Sequence, residues 1–262
     1  MLTLMYGAPV CNGGGVYNEG TLTIENSTIS GNTTGDSVTS GYFAGQGGGV
    51  AGWGGTLTIR NSTLSGNATG NGSSPGEDGD GGGVYANGAT TIENSTISGN
   101  AARGYGGVYN YNESHTVTLI HVTLTNNTAD SDSDEHGAAH GGGLSWRIRG
   151  GFIVKNSVIA GNTDRGSSAY NDCLGGWGDY TSQGYNLVGS GTGCPSGGTG
   201  DQTTSDPKLG PLHKITAAPP RPTPRSTTAR RWSGFPAGPT AAAAITPQTS
   251  AARPGPEAAP AT

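Results

Sequence analysis

The chain has 262 residues and a formal net charge of −5; 50 residues are Gly, aromatic residues make up 6% and charged residues 12%. This composition excludes a charge-rich disordered chain and a large globular core of aromatic side chains, and it favours short strands joined by tight turns. No basic cluster suggests a nucleic-acid partner, and no apolar run approaches the ~18 residues that a transmembrane segment needs.

Residues 1–10 are apolar, but they have neither the basic start nor the long apolar stretch of a signal peptide. We interpret them as a non-native or truncated lead. A repeat region follows from residue 11, in which the phrase NSTISGN has five variants whose first residues are 35, 33, 27 and 35 positions apart. Such a repeat, with loops of variable length, is typical of a solenoid. The variants begin at Asn26, Asn61, Asn94, His121 and Asn156.

Each repeat contains four apolar columns, which begin in the first repeat at Val16, Leu22, Ile24 and Ile29. The residues around them alternate between apolar and polar, as in half-buried strands. So few apolar side chains cannot form a core alone, but stacked repeats form a continuous column, with strands paired at ~4.8 Å per rung. We therefore predict an all-β fold for residues 11–172, a right-handed, single-stranded parallel β-helix (a pectate-lyase-like solenoid) of about five rungs.

Asparagine occupies two further columns, one on each side of the last strand of a repeat. Asn tolerates the left-handed conformation, so it suits a corner, and stacked amides can form a hydrogen-bonded ladder. The first column contains Asn26, Asn61, Asn94 and Asn156, with His121 in the fourth repeat, and the second contains Asn32, Asn67, Asn100, Asn127 and Asn162. Several of them open Asn-x-Ser/Thr sequons, which accept glycans only where they are exposed. Because we expect the corners to be packed, we favour the structural ladder over glycans.

Opposite charges alternate in the outward column that precedes the first Asn: Glu25, Arg60 and Glu93. We interpret this column as setting the register of the strands. Glu25 and Glu93 are also the regular acids of the strands, and a glycosidase needs two carboxylates that face one cleft. Because Arg60 lies between them, we expect a non-catalytic protein. The alternative is a carbohydrate-active enzyme, a polysaccharide lyase or glycoside hydrolase, on the same scaffold.

The stretch from Asp130 to His140, DSDSDEHGAAH, is the most acidic part of the chain. Asp130, Asp132 and Asp134 are spaced as at the start of a calcium loop, but the expected Gly is displaced and no Glu closes the site. We favour a solvated loop insertion and expect no cofactor, with calcium as the alternative.

Cys173 and Cys194 bracket the section that follows the repeats. A disulfide between them would contribute roughly 3 kcal/mol in the chain-entropy model and would fit an oxidising, extracellular setting. Cys11 is left over, and this odd count weakens the inference.

Two segments together carry a family resemblance: GGGVYNEGTLTIENSTISGN and DC…GYNLVG…GC…GDQ…DPKLGPL. They resemble bacterial right-handed parallel β-helix repeat proteins of the choice-of-anchor Q type, and the repeats alone resemble those of polymorphic outer-membrane proteins. The resemblance covers about residues 11–212, including an irregular Cys-bracketed section at 173–212. It implies an exported, adhesin-like protein at the cell surface, without catalytic residues to transfer. Its variable loops would then meet a surface carbohydrate or a protein.

The resemblance ends at His213. Family members continue with a segment like DNGGP, whereas this chain reads KITAAP and then an Ala-, Pro- and Arg-rich stretch. Codons exist for Lys214 to Pro219 whose shifted frame encodes Asp-Asn-Gly-Gly-Pro, and later family motifs are recovered in the same way. We hypothesise that residues 213–262 are an out-of-frame reading of the anchor domain, and their composition predicts disorder.

Overall fold

The structure is a computed structural model, and it describes residues 12–74, 77–132, 140–146, 150–167, 169, 171–174, 180–189, 191–204 and 207–208. The predicted N-terminal lead, Cys11 and the predicted out-of-frame tail lie outside the described residues. No helix in the described part of the chain is long and apolar enough to cross a membrane.

Each repeat folds into one turn of a parallel β-solenoid. The first turn contains β1 (Val16–Asn18), β2 (Thr21–Glu25) and β3 (Thr28–Ser30). The second contains β4 (Val50–Gly52), β5 (Thr56–Arg60) and β6 (Thr63–Ser65). The third contains β7 (Val84–Ala86), β8 (Ala89–Glu93) and β9 (Thr96–Ser98). The fourth contains β10 (Val108–Asn110), β11 (Val117–Ile120), β12 (Thr123–Thr125) and β13 (Thr128–Ala129). The fifth contains β14 (Leu144–Trp146), β15 (Phe152–Lys155), β16 (Val158–Ile159) and β17 (Thr163–Asp164).

The section that we expected to be irregular continues the solenoid. It contributes β18 (Cys173–Leu174), β19 (Tyr180–Ser182), β20 (Leu187–Val188), β21 (Gly191–Thr192) and β22 (Gln202–Thr203). These strands add to the same sheets as the repeats, because their apolar residues fall in register with the turn before: Val188, for example, pairs with Ile159. The section carries no NSTISGN phrase, which is why the repeat pattern did not reveal it.

Equivalent strands of successive turns pair in parallel and form three sheets along the solenoid. Sheet A has the order β1-β4-β7-β10-β14-β18-β21, sheet B β19-β15-β11-β8-β5-β2, and sheet C β22-β20-β16-β12-β9-β6-β3. A short fourth sheet pairs β13 with β17. This parallel solenoid, with about five turns from the repeats, confirms the predicted fold class.

The register follows the apolar columns. Val16 pairs with Val50 in sheet A, and Ile29 pairs with Leu64 in sheet C. From the second to the fifth turn, every side chain of the four columns is buried, and the apolar ones form one continuous core. Each rung therefore buries its apolar face against the rungs above and below, as one-dimensional repeat packing requires.

Left-handed residues bend the chain at two corners of each turn. The corner between sheets B and C has φ values of 46 to 55° and is formed by Asn26, Asn61, Asn94, His121 and Asn156. The corner after sheet C uses Gly in four turns and Asn126, with φ 56°, in the fourth. Asn and Gly are the residues that adopt this conformation at least cost, so the sequence sets these corners locally.

Candidate functional site: an aromatic cleft over sheet A

The second Asn column forms a buried ladder inside the solenoid. Each Nδ2 donates to the Oδ1 of the equivalent Asn in the next turn at 2.9 Å, from Asn32 through to Asn162. Each backbone N–H of the column donates to that same Oδ1 at 3.0 to 3.1 Å. The second Nδ2 hydrogen of Asn67, Asn100, Asn127 and Asn162 reaches a backbone carbonyl of the preceding turn at 3.0 Å. These amides serve the scaffold and are not available to a ligand.

An aspartate ends the ladder. The backbone N–H and one Nδ2 hydrogen of each Asn point towards the C-terminal end, so the last position must accept two hydrogen bonds, which a carboxylate oxygen can do. Asp172 takes this place: its Oδ1 accepts the Asn162 backbone N–H at 2.8 Å and the Asn162 Nδ2 at 2.9 Å. The repeat pattern did not identify this residue, because Asp172 is the last residue of the predicted repeat region and follows the last NSTISGN variant.

The first Asn column differs from the expectation. Asn26, Asn61 and Asn94 are exposed, so the predicted packing of this corner is wrong for them. The left-handed bend turns their side chains outward, whereas Asn32 and Asn67 face the interior. A sequon Asn can accept a glycan only where it is exposed, so Asn26, Asn61 and Asn94 meet this condition and the buried Asn32 and Asn67 do not. From the third to the fifth turn the side chains of this column are in contact: His121 Nδ1 lies 3.2 Å from Asn94 Oδ1, and His121 Nε2 lies 2.9 Å from Asn156 Nδ2.

A serine ladder, which the sequence analysis missed, runs beside the first Asn column. The backbone N–H groups of Ser27, Ser62 and Val122 donate to the Oγ of the serine in the next turn at 3.0 to 3.1 Å, that is to Ser62, Ser95 and Ser157. Val122 has no hydroxyl, so the ladder is interrupted between the third and fourth turns. The NST phrase therefore contains a structural Ser. The signal was the Ser after the corner Asn in four of the five variants.

A second aspartate caps the serine ladder. Ser157 donates its backbone N–H to Asn186 Oδ1 at 3.0 Å, and Asn186 donates in turn to Asp201. Burial opposes ionisation of Asp201, but hydrogen bonds from Ser182, Asn186 and Gly198 outweigh it and lower the pKa of this carboxyl. Both ladders thus run in the same direction and both end on a carboxylate.

The outward charge column is in the predicted register, with Glu25 opposite Arg60 and Arg60 opposite Glu93. Arg60 Nε lies 2.8 Å from Glu93 Oε2. Among the described residues Glu25 makes no comparable ion pair. The two acids lie on sheet B, outside the cleft described below.

The start of the acidic loop is not solvated, contrary to the expectation. Asp130 is 1% exposed, and Asp132 pairs with Arg103 at 3.4 Å. Asp134 lies outside the described residues. Within the described ranges, no three acidic, His or Cys side chains form a group that could hold a metal ion.

A disulfide joins Cys173 and Cys194. It connects β18 to the residues just after β21, which are neighbours in sheet A. Cys173 is fully buried at the end of the apolar column that begins at Val16, so the bond closes the core at its C-terminal end.

Aromatic rings cover the outer face of sheet A. Tyr17, Ala51, Tyr85 and Tyr109 occupy one outward position in successive turns, because the residues pair in register. Two positions further along the chain, Trp53 and Tyr111 occupy a second outward position. The small Ala51 leaves room beside Tyr85, and Trp53 stacks on Tyr85 with centroids 5.3 Å apart and planes at 16°. Tyr111 stacks on the same Tyr85 at 5.8 Å.

Three of these rings, Trp53, Tyr85 and Tyr111, line a cleft of about 190 Å³. Its lining residues are Asn12, Phe43, Ala44, Gln46, Trp53, Asp80, Tyr85 and Tyr111. Tyr85 is only 3% exposed, whereas Phe43 is 49% and Trp53 38% exposed. The cleft thus combines a buried ring with two rings that solvent reaches.

A third ladder builds the polar edge of the cleft. Asn12 Oδ1 accepts the Gln46 N–H at 2.8 Å, Gln46 Oε1 accepts the Asp80 N–H at 2.8 Å, and Asp80 Oδ1 accepts the Tyr105 N–H at 3.1 Å. Gln46 is buried, and its Nε2 donates to Ala44 O at 3.1 Å and to Asp78 O at 3.3 Å, so its side chain serves the scaffold. The bonds of this ladder hold Asn12 and Asp80 in place at the edge of the cleft.

Tyr17 extends the aromatic row beyond the cleft. Its ring lies 6.5 Å from Trp53, and its hydroxyl donates to Glu19 Oε1 at 2.7 Å. Partial burial, together with the hydrogen bond to Glu19 and the negative charge of Glu19, raises the pKa of Tyr17 to about 12. This phenol therefore stays neutral at physiological pH.

The repeat pattern of the sequence does not reveal the cleft. The available signal was the aromatic residue after the glycine run in GGGVY, together with Trp53 and Tyr111 two residues later in their repeats. Comparison of the chain with protein-family models, curated proteins and solved structures gave no match, so the role of the cleft is argued from its geometry.

Proposed function

We propose that the protein is a non-catalytic, exported binding rod of the cell surface. The observation that carries this proposal is the cleft over sheet A, whose lining includes the exposed rings of Phe43 and Trp53 and the buried ring of Tyr85. A binding site of this kind needs shape, apolar surface and a few oriented polar groups, and the cleft has all three. Export and surface attachment rest on the family resemblance of the repeats.

The arrangement of acids supports binding over hydrolysis. Glycoside hydrolysis needs two carboxyl groups across one cleft, about 5–9.5 Å apart. Asp80 is the single acid among the described lining residues, and its Oδ1 already accepts a backbone N–H. Glu93, one of the two regular acids of the strands, forms an ion pair with Arg60 on sheet B. The repeats therefore supply a scaffold, and the loops and the face of sheet A supply the binding surface.

A combined binding and turnover assay tests this proposal. Labelled protein is incubated with intact bacterial and host cells, and the same preparation is incubated with neutral and uronate polysaccharides. We expect reversible attachment to a cell surface and no release of reducing ends or unsaturated sugars. Product formation that is lost in Asp80→Asn or Glu93→Gln would refute the proposal and establish the enzyme alternative.

A further inference from the structure

From this geometry we infer that the corner between sheets B and C is a modification site, at which Asn26 and Asn61 accept an N-linked sugar from a nucleotide-activated donor. The inference goes beyond the proposed function and does not depend on the cleft. It rests on a comparison of two sequon columns that run through the same two turns. The corner column opens at Asn26 and Asn61, and the interior column opens at Asn32 and Asn67.

The acceptor nitrogen is available in the corner column. Asn26 and Asn61 are exposed, and within the part of the chain that the structure describes their side chains make no hydrogen bond. N-glycosyl transfer needs such a nitrogen: Nδ2 attacks C1 of the donor sugar, and the C1–O bond to the nucleotide diphosphate breaks. The diphosphate leaves with the electron pair, and one Nδ2 proton passes to a base of the transferase.

The hydroxyl that completes each sequon is available as well. An Asn-x-Ser/Thr acceptor is defined by the hydroxyl residue two positions after Asn. Here that residue is Thr28, which is exposed, and Thr63, which is partly exposed. Neither Oγ1 is engaged in a hydrogen bond among the described residues. A transferase that acts on the folded protein therefore finds both groups of the sequon at the surface.

The middle residue of the sequon does the structural work of this corner. Ser27 Oγ donates to Glu25 O at 2.7 Å, and Ser62 Oγ donates to Arg60 O at 2.6 Å. Left-handed backbone at the corner does not require an amide side chain, because Gly adopts the same conformation. The amide of Asn and the hydroxyl of Thr are thus left without a part in the scaffold.

The interior column shows the opposite arrangement. Both Nδ2 hydrogens of Asn32 are used, one towards Ser30 O at 3.3 Å and one towards Asn67 Oδ1 at 2.9 Å. The hydroxyls of its sequons, Thr34 and Thr69, are 4% exposed, and each donates to a backbone carbonyl at 2.7 Å. The two columns are therefore a matched pair, with the same sequon type accessible in one and buried in the other.

The third sequon of the corner column is excluded from the inference. Asn94 is exposed, but its Oδ1 lies 3.2 Å from His121 Nδ1, so its side chain already has a partner. The inference is limited to the first two turns, where no such contact holds the amide.

Incubation of the folded protein with a soluble N-glycosyltransferase and UDP-glucose tests the inference. The enzyme is one that modifies both sequons of a synthetic peptide of residues 24–34, which contains Asn26 and Asn32 outside the fold. We expect peptide mapping by mass spectrometry to place a hexose on Asn26 and Asn61 of the folded protein. Occupancy of Asn32 and Asn67 should be at least about tenfold lower, because reaching them requires local unfolding.

Thr63→Val tests whether the sequon directs the modification. It removes the hydroxyl and keeps a β-branched residue in β6, so the hexose should be lost from Asn61 and retained on Asn26. The matched control is Thr58→Val, which changes another partly exposed Thr in β5 of the same turn, outside any sequon. This control should leave both occupancies unchanged.

The outcomes are distinct from those of the cell-attachment assay. Absence of hexose from the folded protein, or equal occupancy of Asn26 and Asn32, would overturn the modification site. Modification of Asn61 that Thr63→Val does not reduce would also overturn it. None of these results changes the expectation for attachment through the cleft, which involves other residues on sheet A.

Discussion

Replacing Asn100 with Ala tests whether the buried Asn ladder stabilises the solenoid. The Asn100 side chain makes four hydrogen bonds: its Oδ1 accepts the backbone N–H and the Nδ2 of Asn67, and its Nδ2 donates to Leu64 O and Asn127 Oδ1. Asn100 is fully buried, so the truncation leaves polar groups without partners in the interior. At about 1 kcal/mol for each lost bond, the free energy of unfolding should fall by about 4 kcal/mol.

Urea denaturation followed by far-ultraviolet circular dichroism measures this change. With an m-value of about 3 kcal/mol/M, a loss of about 4 kcal/mol lowers the midpoint by more than about 1 M urea. The control is Asn61→Gly, which removes the same side chain from the exposed corner of the second turn. Its φ of 49° suits Gly, so its stability should change by no more than about 0.5 kcal/mol. A loss below about 1 kcal/mol for Asn100→Ala at an unchanged m-value would refute a stabilising ladder.

Three further predictions concern the charges and the disulfide. Arg60→Glu places three acids in one outward column and should lower stability by about 0.2–1 kcal/mol; this loss should shrink in 1 M NaCl, and an unchanged melting temperature at low salt would contradict the register role. Cys173→Ser with Cys194→Ser should lower the free energy of unfolding by roughly 3 kcal/mol, measured by urea denaturation, and reduction of the unchanged protein by dithiothreitol should reproduce the loss. Because hydrogen bonding lowers the pKa of Asp201, its contribution to stability is present above the carboxyl pKa of the unfolded chain and is lost as the pH falls through the lowered folded value. Asp201→Asn should therefore be less stable near pH 7 and should show a flatter decline in acid; equal slopes for both proteins would contradict this assignment.

The two terminal carboxylates follow from the direction of the ladders. In a parallel stack every N–H of a column points the same way, so each column resembles a helix in having a donor end and an acceptor end. A carboxylate at the donor end accepts these bonds and balances the aligned dipoles. Asp172 and Asp201 each do this at the C-terminal side of a column. A solenoid thus needs a special residue at its end, even where its repeats are uniform.

The repeat pattern was sufficient to predict the fold, the apolar columns and the register, because these depend on one spacing relation that recurs in every turn. Ile24 and Ile59 must pair if Ile29 and Leu64 do, because the two columns of sheets B and C are five residues apart in both turns. A slip by one residue would expose the core. The positions of the Asn corners were equally predictable, because the preference for left-handed backbone is a local property of Asn and Gly.

The exposure of Asn26 against the burial of Asn32 could not be read from the pattern, because both are Asn at a strand end and the direction of the bend separates them. The cleft could not be predicted from the repeat pattern either. Trp53, Asp80 and Phe43 lie in different turns and loops, and they meet only when the rungs stack and the insertions fold across sheet A. Spacing along a chain predicts what repeats; a site made of residues that occur once depends on the folded geometry that brings them together.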